Sequence, residues 1–279
     1  MIEWSIGIVN YKSFVYLKHQ IKGLYEFNSI PFKLIIVDNS VPSEEIELRE
    51  LLNQYPNTEL ICHHPQTEGS SRQHTEGLNI IQKRVDTKYL LIQDPDFFWV
   101  RKDILKILQT KFEEGNVCVG APFYRPQFTN DTTPALWGCA YLTSILEEGD
   151  FESFSVALSR DEVSRDLALG RDTGWKLRDK FKNQNLPTYS FVDKVGFPDW
   201  FPMKGKHTGA FNEKDSHEYF YEDRPIGYHL FHGSYDSDLE FASAKDQINI
   251  TVPPTWAELR DQYAQHFYRS LQNDGLKYL

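Results

Sequence analysis

Tyr89-Leu90-Leu91-Ile92-Gln93-Asp94-Pro95-Asp96-Phe97-Phe98 drives an apolar run of β-formers straight into two carboxylates one residue apart. A run apolar on both faces predicts a buried strand of a parallel sheet. Pro95 removes a ladder donor and restrains Asp94, so the strand is expected to stop there. In open α/β sheets, ligands gather off the carboxyl ends of the strands. Unpaired carboxylates are costly in a core, so two of them at such an end fit a divalent cation. Mg²⁺ or Mn²⁺ takes oxygen ligands and commonly shares them with substrate phosphates. The same Asp-x-Asp spacing also occurs in ordinary turns.

Outward from this stretch, strands and helices alternate. Strands are expected at Trp4–Val9, Lys33–Val37 and Thr58–His63, followed by helices at Phe14–Phe27 and Ser43–Leu52 and by a loop running into a helix over Gly69–Lys83. A helix over Lys102–Glu114 and a strand over Asn116–Ala121 continue the series. This order predicts an α/β fold with a doubly wound, mostly parallel sheet and right-handed crossovers. Beyond Pro122 the alternation fades. Strand character returns at Trp137–Leu142, a helix at Asp172–Asn185, a strand at Thr188–Val195 and a strand with turn at Pro225–Ser234.

Near the carboxyl terminus, Trp256, Leu259, Tyr263, Phe267 and Leu271 form one apolar helical stripe. Glu258, Asp261 and Asp274, besides Arg260 and Arg269, fall on the other face, which lacks the basic bias of a membrane-lying helix. The stripe is therefore expected to dock on protein. The simplest division is one domain over residues 1–250, with a nucleotide-binding half at 1–122 and an acceptor-binding half at 123–250. Residues 251–279 then form a C-terminal helical appendage.

Bulk properties exclude some partners. A chain of 279 residues can bury a substantial core. A formal net charge of −10 argues against nucleic acid, whose recognition needs a basic face. No run reaches membrane-spanning length, and the chain opens as a strand without a signal-peptide pattern. Cys62, Cys118 and Cys139 have no paired spacing and sit in apolar contexts, which predicts reduced thiols in a soluble, cytoplasmic protein. Fifteen Tyr and six Trp, many of them after residue 120, suit either an aromatic core or a surface that stacks on sugar rings.

Four motifs, in order, resemble the GT-A glycosyltransferases of the large family 2 type. Ser5-Ile6-Gly7-Ile8-Val9-Asn10-Tyr11 is similar to their opening strand, and Ile35-Ile36-Val37-Asp38-Asn39-Ser40 to their second strand and its end. Gly69–Leu78 is similar to the Gly-rich entry of their next helix, and Asp94-Pro95-Asp96 stands at their Asp-x-Asp motif. The resemblance implies a metal-dependent, inverting transfer of a sugar from a nucleotide-diphosphate donor to a saccharide, lipid-linked saccharide or other hydroxyl acceptor. It implies that Asp38 accepts from a base N–H or ribose hydroxyl, with a turn or cap Asp as the competing account. Val9, through its backbone, and Tyr11, through its ring, become base contacts, against simple packing. The family often has Arg-Asn where this chain has His74-Thr75, so Arg72 is expected to supply the cation to the base or diphosphate, with a solvated helix residue as the competing account.

Asp96 then holds the metal, with Asp94 on metal or ribose. A late-loop His completes many such sites. Strand alternation over Tyr228–Tyr235 sets Tyr228, Leu230 and His232 on one face and His229 on the other, and His232 beside Gly233 is the expected ligand. A buried structural His is the competing reading. The family's base is the Asp of a Glu-Asp pair entering a helix; Gly170-Arg171-Asp172-Thr173-Gly174-Trp175 puts Asp172 there, with Arg171 for the Glu. Asp172 is equally a good helix cap. Trp137, Gly138 and Trp175 are expected on the acceptor side by position. A nucleotidyltransferase fits less well, because Asn10-Tyr11-Lys12-Ser13 lacks a Gly-rich basic loop. A non-catalytic sugar-nucleotide or glycan binder is the alternative from another class.

Overall fold

The computed structural model describes residues 2–40, 42–65, 70–122, 133–152, 173–196, 198–199, 216–230 and 256–275. Its contacts divide into two compact units, each made of separated chain segments. The first comprises residues 1–11, 30–94 and 105–191, and the second residues 12–29, 95–104 and 192–279.

The first unit is built on a seven-stranded sheet of order β3-β2-β1-β4-β7-β6-β8. Its strands are β1 (Trp4–Asn10), β2 (Phe32–Asp38), β3 (Thr58–Cys62), β4 (Tyr89–Gln93), β6 (Cys118–Pro122), β7 (Pro134–Leu142) and β8 (Thr188–Ser190). β1 to β4 pair in parallel, and only β7 runs antiparallel to its neighbours. The mostly parallel sheet expected from the strand–helix alternation is therefore present. β1 and β4 are buried along their whole length, as continuous apolar runs require.

Helices α2 (Pro42–Leu52), α3 (Ser70–Arg84), α4 (Ile104–Glu113) and α5 (Trp175–Asn183) accompany these strands. α3 lies close over β1 because Gly77 has no side chain: a Cβ there would meet Val9 Cγ1 at 2.6 Å. Leu78 and Ile81 of α3 join Val9, Ile35, Val37, Leu90 and Ile92 in one buried cluster. Cys118 and Cys139 are free, buried thiols with sulfurs 3.1 Å apart, and Cys62 is half-buried. Burial pushes the Cys118 thiol well above its usual range.

The second unit holds α1 (Phe14–Phe27), α6 (Trp256–Gln272) and an antiparallel sheet of order β5-β11-β10-β9. Its strands are β5 (Phe97–Trp99), β9 (Val192–Val195), β10 (His217–Tyr221) and β11 (Arg224–His229). The expected single strand over Thr188–Val195 is thus two, broken at Phe191, with one piece in each sheet. β5 and β10 were not foreseen. Three residues in β5 and a mixed polar pattern in His217–Tyr221 carry little periodic signal.

α6 packs on α1 and β5. Phe267 stacks on Phe98 at 4.6 Å and tilts over Tyr228 at 5.1 Å, while Tyr263, Phe267 and Leu271 are all buried. The side chains of Trp256 and Leu259 lie outside the described residues. The described part of the stripe therefore docks on the chain's own protein, as expected. Arg260, expected on the outward face, is instead 4% exposed. Among the described residues no helix is long and apolar enough to cross a membrane.

Candidate metal and nucleotide site

Parallel pairing brings the carboxyl ends of β1 and β2 side by side, with Asn10 opposite Asp38. Asp38 is completely buried. Its Oδ1 accepts from Asn10 Nδ2 at 2.9 Å and from the Ser40 amide at 3.1 Å, and Asn10 Nδ2 also reaches Ser40 Oγ at 3.2 Å. Oδ2 has no hydrogen-bond partner among the described residues. Leaving a buried carboxylate oxygen without a donor is expensive, so this atom suits a donor from a ligand. Nearby in the chain, Tyr11 is 49% exposed, whereas the Val9 side chain belongs to the core and leaves its backbone as the only group for a ligand.

At the end of β4, Asp94 donates its amide to the Trp137 carbonyl at 2.9 Å, and its carboxylate lies 3.4 Å from His74 Nε2 of α3. His74, which stands where the resemblance expects Arg, thus faces the first acid of the pair. Arg72 is half-buried, in the first turn of the same helix.

Asp96, only 4% exposed, is held from three sides within the second unit. Its Oδ1 is 3.3 Å from His229 Nε2, and its carbonyl accepts from the Leu230 amide at 3.1 Å. Gln20 of α1 donates Nε2 to the carbonyls of Pro95 at 2.7 Å and Phe97 at 2.6 Å, so one amide clips both residues flanking Asp96. His229 is delivered by register, since β11 pairs with β5 so that His229 faces Phe97.

A single proline separates Asp94 from Asp96, which makes their spacing a property of the local chain. Asp96 and His229 pair within the second unit, and Asp94 stands two residues before Asp96 in the chain. Two carboxylates and an imidazole, two of the three groups buried, form a donor set that fits Mn²⁺ or Mg²⁺.

The chain is similar to the mannosyltransferase PcManGT of Pyrobaculum calidifontis in complex with GDP-Man and Mn²⁺. Identity is 13% and the TM-score 0.50, over 98% of this chain and 72% of that one. The fold is that of the GT-A glycosyltransferases. S. aureus TarS 1-349 in complex with UDP-GlcNAc is similar at 14% identity and a TM-score of 0.47, over 98% of this chain and 72% of that one. No family model matches the sequence, and no curated protein matches it.

On the GT-A sheet, Trp137 and Gly138 lie on β7, where Gly138 pairs with Gln93 next to Asp94. Trp175 is the first residue of α5, behind Gly174 at φ +75°, a left-handed cap that a residue with a side chain would resist. Asp172 and His232 lie outside the described residues. The histidine beside Asp96 is His229. Strand alternation set His229 on the face opposite the expected ligand His232, and it is His229 that the ladder with β5 brings beside Asp96. Asn10 and Gln20 were also missed. Asn10 had a usable signal, because it ends β1 as Asp38 ends β2. Gln20 had none, being one polar residue on a helix whose target is 75 residues away.

Proposed function

We propose that this protein is a metal-dependent, inverting glycosyltransferase that moves a sugar from a nucleotide-diphosphate donor to a saccharide or other hydroxyl acceptor. The observation that carries the reading is the buried Asp96–His229 pair beside Asp94, just past the carboxyl end of a central strand of a GT-A sheet. Asp94, Asp96 and His229 would hold Mn²⁺ or Mg²⁺. When bound, the cation supplies a Lewis acid for the charge that grows on the departing nucleotide diphosphate.

The chain's own residues do the rest. Asp38 offers Oδ2 to a base N–H or a ribose hydroxyl, with Asn10 and Ser40 fixing the carboxylate. Tyr11 offers its exposed ring to the base and Val9 its backbone, and Arg72 offers a cation to the base or diphosphate. Asp172 takes the proton of the acceptor hydroxyl as that oxygen attacks the anomeric carbon and the bond to the diphosphate breaks, which inverts the centre. Trp137, Gly138 and Trp175 receive the acceptor.

The test is a panel of nucleotide sugars with Mn²⁺, read as thermal stabilisation and as release of nucleotide diphosphate. One donor is expected to give both. Stabilisation without release, in the presence of candidate acceptors, would favour a non-catalytic sugar-nucleotide binder. In the active pairing, Asp172→Asn is expected to lower turnover by about 10²-fold or more with donor affinity kept. Near-normal turnover would move the base elsewhere.

A further inference from the structure

Arg260 of α6 is a buried cation placed on a loop. Its Nη1 donates to the Lys12 carbonyl at 3.0 Å and its Nη2 to Ser13 Oγ at 3.0 Å, while the guanidinium lies over the Tyr16 ring at 4.6 Å. No carboxylate pairs with it among the described residues. Two features of the loop lie at this grip. Lys12 sits at φ +49°, in the left-handed region that a residue with a Cβ resists. Ser13 is the N-cap residue of α1, yet its hydroxyl caps no helix amide and accepts from Arg260 instead. A charged donor on the Lys12 carbonyl favours the strained conformer, because any other Lys12 conformation would turn that carbonyl away and strand a buried guanidinium.

We propose that Arg260 is a positioning residue for the nucleotide. It holds Lys12 in its left-handed turn and so sets the backbone entering Lys12 from Tyr11, the residue whose ring is offered to the base. The C-terminal helix is on this account a working part of the donor site. The inference rests on the nucleotide reading above for its consequence, but the clamp itself is independent of any ligand.

The full chain is compared as wild type, Arg260→Lys, Lys12→Gly and the double variant. Lysine keeps the charge but cannot donate to both acceptors with a planar fork. Affinity for UDP and for GDP, each with MnCl₂, is measured by calorimetry. Tryptic cleavage after Lys12 is followed by the mass of the 1–12 fragment. Arg260→Lys is expected to bind the preferred nucleotide about tenfold more weakly, the scale of one released left-handed residue. It is also expected to be cut faster at Lys12. Glycine accepts the left-handed turn without a clamp, so the double variant should return to within about threefold of wild type. Unchanged cleavage in Arg260→Lys overturns the clamp. A binding loss that Lys12→Gly does not repair overturns the positioning role. A wild type that binds neither nucleotide while cleavage still accelerates overturns the nucleotide reading and leaves the clamp standing.

Discussion

Asp96→Asn keeps the shape of the side chain and removes its charge. In the metal-free protein Asp96 is a buried carboxylate, 4% exposed, with His229 Nε2 at 3.3 Å. Breaking a buried pair normally costs several kcal/mol because one charge is stranded. Here an amide oxygen still accepts from His229 Nε2–H, so the hydrogen bond of the pair outlasts the lost charge. The metal-free melting temperature is therefore expected to move by no more than about 3 °C, equivalent to roughly 1 kcal/mol in a chain of this size. The metal response is different. Mn²⁺ at about 100 times the wild-type dissociation constant should stabilise the wild type by about 2.7 kcal/mol, or roughly 5–10 °C. Loss of a charged ligand should weaken binding by about a hundredfold or more, beyond the usual cost of an outer-shell partner. At the same Mn²⁺ concentration the variant then gains only about 0.4 kcal/mol, or roughly 1 °C. Melting is followed by fluorescence with MnCl₂ and with chelator. A full Mn²⁺ shift in Asp96→Asn would refute the metal assignment, and a metal-free drop of about 10 °C would make Asp96 a structural residue instead.

Gln20→Leu removes the donor shared by the Pro95 and Phe97 carbonyls, and is expected to cost about 2–4 kcal/mol in urea unfolding and to weaken Mn²⁺ binding. Unchanged Mn²⁺ affinity would mean that the clip does not position Asp96. Phe267→Ala empties the stack on Phe98 and Tyr228 and should cost about 3–5 kcal/mol by the same measurement, whereas a loss below about 1 kcal/mol would contradict the docking of α6. The third test concerns acid. Burial pushes the Asp274 carboxyl up, but the Lys102 amide, Arg224 and Arg101 outweigh it and hold the carboxyl below its ordinary range. Its stabilising contribution is therefore complete above the unfolded value of about 3.9 and is lost as pH falls through the lower folded value. The melting-temperature gap between wild type and Asp274→Asn should close across that window, and a gap that persists to the lowest pH would contradict the assignment.

How legible each part was depended on the length over which its signal repeats. β1, β2 and β4 could be read because buried parallel strands are apolar on both faces, and each ends at a polar residue that stops the run: Asn10, Asp38 and, past Gln93, Asp94. α1 was read to its ends for the related reason that fourteen residues hold one apolar face. The second sheet had no such help. β5 spans three residues, β9 sets two exposed valines around two adjacent charged residues, and β10 gains its meaning from His217 facing His229 across the ladder. Pairings of that kind join residues far apart in sequence and leave no local period.

The same distinction separates the two halves of the candidate site. Asp38 and Asp94 sit where a strand stops, so sequence alone placed them at strand ends, and the chemistry proposed for them comes from the resemblance. His229, Gln20 and Arg260 bond to partners that lie 133, 75 and 248 residues away in the chain, differences obtained from the pairs His229–Asp96, Gln20–Pro95 and Arg260–Lys12. Arg260 makes the point most sharply. Helical spacing assigned it to the polar face, and an arginine is ordinarily solvated there. It is buried with its fork donating to the Lys12 carbonyl and the Ser13 hydroxyl on another element. A period of 3.6 residues identifies the stripe a helix must bury. It carries no information about a backbone carbonyl on another element that selects one polar side chain out of the opposite face.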